Sequence, residues 1–119
     1  MNIFWLAKSP GKIAEYHCDK HVVKMPLEMT QMLSTVHHRY DADGPYKSVH
    51  EKHPCTLWVG QTIENYILAW RVGAALFKEY KYRYDKVHKS EPILYSLRCP
   101  PIGLTARGIT KKPQCMPEV

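Results

Sequence analysis

From Lys12 to about His38 the apolar residues recur with a helical period. At about 100° per residue, Ala14, Cys18, Val22, Met25, Met29, Met32, Leu33 and Val36 gather on one side. His17, Lys20, His21, Lys24, Glu28, Gln31 and Thr35 gather on the other. The spacing predicts one amphipathic helix with a Met-rich core face, entered through the turn Ser9-Pro10-Gly11. Pro26 offers no N–H to the carbonyl of Val22, so a kink is expected between those two residues, opening the backbone beside Lys24. The segment Tyr40-Asp41-Ala42-Asp43-Gly44-Pro45 ends this helix and begins a loop that runs through His53-Pro54. A second long helix is expected from about Thr56 to Tyr84, with Ile63, Tyr66, Ile67, Trp70, Ala74 and Phe77 as its core stripe. Trp58 and Trp70 belong to the core on this reading, because their neighbours are helical and apolar. Beyond Ser90 the chain is interrupted by Pro92, Pro100, Pro101, Pro113 and Pro117, which leaves room for one short helix near Ile93 to Leu97.

The fold class that follows is mostly α: a compact single-domain helical bundle over residues 1–119, with two long helices and an irregular Pro-rich C-terminal segment. A chain of 119 residues buries one core and divides poorly into two. No window approaches the roughly 18 uninterrupted apolar residues of a membrane span. The apolar start Met1 to Ala7 has no basic residue before it and meets Lys8 at once, unlike a secretory signal, so no membrane partner and a cytoplasmic location are expected. Cys18, Cys55, Cys99 and Cys115 never pair as CxxC and are expected as reduced thiols.

Lys and Arg number 17 against 11 Asp and Glu, a net charge of +6 with seven histidines in reserve. That balance suits partners that carry phosphate, namely DNA or a small nucleotide. The run His17-Cys18-Asp19-Lys20-His21-Val22-Val23-Lys24 sharpens the point, because it sets two imidazoles and two amines on one face within two turns, with only Glu28 among them. Such cations repel one another unless an anion lies between them. The same His17 and His21, at i and i+4, have the spacing to share a divalent ion with His50, His53 or Cys55, but the carboxylate spacing of a recognised zinc helix is missing. No metal or cofactor is therefore expected.

Two further segments belong to the candidate site. In Tyr46-Lys47-x-x-His50-x-x-His53-Pro54, two loop imidazoles stand ready to meet the first helix as acid, base or phosphate donor, or alternatively to cap the next helix. In Lys78 to Lys89, cations interleave with Tyr80, Tyr82 and Tyr84, a pattern in which tyrosines stack on bases while lysines and Arg83 meet phosphates. Helix-end packing is the other use of the same residues.

Taken together, Met1 to Leu6, His17 to Met25, Tyr46 to Pro54, Glu79 to Lys89 and Pro113 to Pro117 resemble a family of small proteins common in tailed phages. More distantly, Ile13-Ala14-Glu15-Tyr16-His17 followed by Met25-Pro26 is similar to the pyrimidine-dimer DNA glycosylases of the endonuclease V type. That resemblance implies a compact helical repair enzyme that excises a base and cleaves the strand through an amine. Lys24 stands where those enzymes carry their catalytic glutamate, and the nearest carboxylate on that face is Glu28, one turn later. Their nucleophile is an α-amine exposed when the initiator methionine leaves a small second residue, whereas Asn2 here is not small. The expectation is a DNA-base-processing protein with Lys24 or Lys20 as amine and Glu28 as acid/base. His17, His21, Gln31, His50 and His53 would hold phosphate, and Tyr80, Tyr82 and Arg83 would support the strand. The alternative is a non-catalytic phage protein that sequesters a small cyclic or oligonucleotide signal of host defence. A zinc-stabilised interaction module would need His17, His21 and a loop ligand. The oligomeric state is not readable from the sequence.

Overall fold

The computed structural model describes residues 2–113, and the tail motif beyond Pro113 lies outside them together with Cys115 and Met1. Its helices are α1 (Pro10–Glu15), α2 (Asp19–Arg39), α3 (Pro54–Val59), α4 (Ile63–Tyr84) and α5 (Glu91–Ser96). Among the described residues there is no strand beyond an isolated bridge between Ile102 and Leu104. The protein is mostly α, with α2 and α4 packed along each other, α1 against α4 and α3 against α2.

The long first helix expected from Lys12 to His38 is two helices. Ser9 caps α1 by accepting from the Lys12 N–H at 3.3 Å, and Pro10 supplies the preset φ of its first turn. The break comes at His17. Its ring Nδ1 lies 2.7 Å from the carbonyl of Ile13, the acceptor that a continuing helix would offer to the His17 N–H, and that N–H turns instead to Ala14. Cys18 is then extended, and α2 starts afresh with Asp19 in its first turn, where a carboxylate suits the helix dipole. Cys18, expected on the apolar face, is exposed.

The helix α2 runs through Pro26, with the Thr30 hydroxyl donating to the Pro26 carbonyl at 2.8 Å. Its core face is the expected one, with Val22, Met25, Met29, Met32, Leu33 and Val36 all buried. Thr35, expected on the polar side, is buried as well, because the 46–49 segment crosses it.

The second expected helix also divides, at Gly60-Gln61-Thr62. His53 caps α3 with Nδ1 accepting from the Cys55 N–H at 3.1 Å, and Thr62 caps α4 with its hydroxyl accepting from the Asn65 N–H at 3.0 Å. The buried stripe of α4 holds Tyr66 and Phe77 but centres on Ala69, Val72, Gly73 and Leu76, so Ile67 lies partly exposed. Trp58 is fully within the core and Trp70 packs against its edge. Cys18 and Cys99 are free thiols, whereas the buried Cys55 is disulfide-bonded, against the expectation of a reduced side chain.

The segment after α5 is irregular but tightly held. Asn65 is fully buried and donates from Nδ2 to the Trp58 carbonyl and to the Thr110 hydroxyl, both at 2.8 Å, while its Oδ1 accepts from the Thr110 N–H at 3.0 Å. Glu64 receives the N–H groups of Arg107 and Gly108 at 3.0 and 2.9 Å. The start of α4 thereby fixes a strap over residues 105–110.

Candidate nucleotide-binding face

The N-terminal segment brings Ile3 and Phe4 into the core. Phe4 stacks on His21, with ring centroids 4.6 Å apart and 23° between planes, and lies 5.7 Å from His17. The two histidine rings stand 6.2 Å apart, edge to face. Burial lowers the pKa of His17 against the raising effect of its bond to Ile13, and the nearby charges of His21 and Arg83 lower it further. His17 is thus a buried imidazole engaged with its own helix end, while His21 is half-buried under Phe4. Among the described residues no group of three or more His, Cys, Asp or Glu is arranged to hold a metal ion.

Lys20 and Lys24 are exposed along the next turns of α2. Lys24 Nζ lies 3.8 Å from Glu28 Oε2; the lysine side chain is 64% exposed and the glutamate only 12%. A lysine one turn before its glutamate opposes the helix dipole and is the weaker order for helix stability. His53, on the loop, is within the electrostatic influence of the same carboxylate: burial lowers its pKa, His50 lowers it too, and the negative charge of Glu28 raises it. Gln31 is half-buried one turn further along α2. Lys24 lies on the solvent side of Glu28. His50 is exposed, held at a left-handed φ of 48°, and lines a shallow recess with Glu51, Lys52 and His53.

No family model, curated protein or solved structure matches the chain.

The end of α4 is drawn to the start of α2 by bonds within the protein. Arg83 spends its guanidinium on Glu79 Oε2 at 2.8 Å, Asp19 Oδ1 at 3.0 Å and the Glu15 carbonyl at 3.0 Å. It clamps α4 to the junction of α1 and α2. Tyr80 packs its ring against Tyr84 and His88 at 5.2 and 5.0 Å. Of the three residues expected to support a strand, Tyr82 alone is open, 85% exposed beside a recess between α1 and α4.

One feature of this surface has no signal in the helical pattern. Where the second half of α2 meets the segment from Ser48 to Leu57, a cavity of about 430 Å³ is lined by His38, Arg39, Lys52 and Thr56 among others. It joins residues from two separate stretches of chain, which periodicity does not relate.

Proposed function

We propose that the protein processes damaged DNA bases as a glycosylase/lyase, with Lys24 as the amine and Glu28 as its acid/base. The observation that carries this reading is the pair itself: an accessible amine 3.8 Å from a carboxylate that is mostly withdrawn from water. A nucleophilic amine needs such a neighbour to take its proton.

In the proposed reaction the Lys24 ammonium first loses a proton to solvent, and the neutral Nζ then attacks C1′ of the damaged nucleotide. The N-glycosidic bond breaks, its electron pair leaves with the base, and the base takes up a proton from solvent. Glu28 accepts the proton lost by Nζ. The nitrogen lone pair then forms the C1′=N imine as the C1′–O4′ bond opens, and Glu28 returns the proton to O4′. Removal of a C2′ proton by the carboxylate expels the 3′-phosphate, and water releases the sugar from the lysine. Lys20 and the net charge of +6 draw the phosphate backbone to this face. Tyr82 is available to stack on a base. The scheme agrees with the resemblance to the endonuclease V type of glycosylase, with the amine moved from the chain terminus to a side chain.

The test is incision of ultraviolet-irradiated and abasic duplex DNA. The wild-type protein is expected to nick both, Lys24→Ala to abolish nicking, and Glu28→Gln to slow it by about 100-fold or more. Lys12→Ala, which removes a surface pair with Glu15, is expected to leave the rate unchanged. A wild-type protein that nicks neither substrate refutes the proposal.

A further inference from the structure

We infer that the cavity between the second half of α2 and the Ser48–Leu57 segment is a second binding site, one that takes a small phosphate monoester. It is independent of the Lys24–Glu28 reading, since neither of those residues lines it.

The cavity's chemistry is divided. Val36 and Leu57 give it an apolar wall, while Arg39, Lys52 and His38 bring three groups able to carry positive charge against the single carboxylate of Glu51. Among the described residues neither Arg39 nor Lys52 makes an ion pair; the cations that do are Lys12, Lys24 and Arg83. Two unpaired cations beside one recess favour a ligand with two negative charges on one group. A monoester is such a ligand, and its organic body would lie on the apolar wall. About 430 Å³ falls within the range of small-molecule sites and leaves room for a nucleoside monophosphate.

The walls are fixed in advance. The Ser34 hydroxyl donates to the Tyr46 carbonyl and accepts from the Tyr46 N–H, at 3.0 and 2.9 Å. The Thr35 hydroxyl does the same with Val49 at 3.3 and 3.1 Å. His38 Nε2 donates to the Tyr46 carbonyl at 2.7 Å. The loop is thus tied to α2 at Tyr46 and Val49, on either side of the cavity-lining Ser48, which lowers the ordering cost of binding. A second observation points to a missing partner. Thr56 lines the cavity and is 3% exposed, yet its Oγ1 has no hydrogen-bond partner among the described residues. A buried hydroxyl left this way is costly, and a small rotation of its side chain toward a bound ligand would satisfy it.

Titration of the ¹⁵N-labelled protein with adenosine monophosphate, inorganic phosphate and adenosine tests the inference. Adenosine monophosphate is expected to give saturable amide shifts centred on Ser48, Lys52, Thr56 and Leu57. Phosphate alone should shift the same amides more weakly, and adenosine should leave them in place. The Arg39→Ala/Lys52→Ala double variant, altered only at exposed side chains, should weaken binding by about tenfold or more. Lys24→Ala should bind as the wild type does, so that loss of nicking and loss of monoester binding are read separately. Shifts that never saturate, that scatter over the surface, or that persist unchanged in the double variant overturn the site.

Discussion

Lys24 and Glu28 face each other at 3.8 Å across one turn of α2, yet they live in different surroundings, the ammonium mostly in water and the carboxylate mostly out of it. That asymmetry separates the chemistry of the pair from its structural worth. Partly exposed pairs of this kind contribute about 0–1 kcal/mol. Lys24→Ala is therefore expected to lower unfolding stability by less than about 1 kcal/mol while ending strand incision. Urea unfolding and incision measured on one preparation check it.

Thr56 makes the opposite kind of test. Because its buried hydroxyl has no hydrogen bond to lose among the described residues, Thr56→Val is expected to be neutral or stabilising by up to about 1 kcal/mol in the ligand-free protein. Thermal unfolding without added phosphate ester reads this. A loss of 2 kcal/mol or so would mean that the hydroxyl is already satisfied.

Asn65 ties α4 to the strap: its removal strips the Thr110 N–H of its acceptor and takes one hydrogen bond each from the Trp58 carbonyl and the Thr110 hydroxyl, which keep their bonds to Gln61. Asn65→Ala is expected to cost about 2–4 kcal/mol. Hydrogen exchange should locate the loosening at the Thr110 amide, ahead of any change in the middle of α2.

His17 governs a pH dependence whose sign follows from burial. Its folded pKa lies below its usual value of 6.5, chiefly because burial disfavours the charged ring. Between the folded value and 6.5 the unfolded chain holds more protons, so stability rises with pH in that window. The contribution is complete above 6.5 and is lost as pH falls toward the folded pKa. His37 and His53, also lowered by burial, act in the same direction. Unfolding free energies measured from pH 7.5 down to 5 should decline, and His17→Gln, which retains a donor for Ile13, should flatten the slope.

Where the sequence was legible, one physical signal dominated. The apolar period of α2 marks Val22, Met29, Leu33 and Val36 as core because each is held there by burial alone. The break at Cys18 was hidden, since Ala14, Cys18 and Val22 keep the period across it, and the interruption comes from one hydrogen bond between His17 and Ile13. Pattern alone equally assigns Thr35 to solvent, because the segment that covers it arrives from fourteen residues away. The candidate site divides the same way. Lys24 and Glu28 are one turn apart on a helix and could be paired from their spacing. The clamp role of Arg83 and the cavity beside Arg39 depend on contacts between distant segments.

The most direct measurement is reductive trapping. Abasic duplex DNA incubated with the protein and borohydride, followed by proteolysis and mass mapping, reports which amine carries the sugar. The account predicts a covalent adduct on the peptide containing Lys24, absent in Lys24→Ala. An adduct on another amine, or efficient trapping that survives Lys24→Ala, would contradict it.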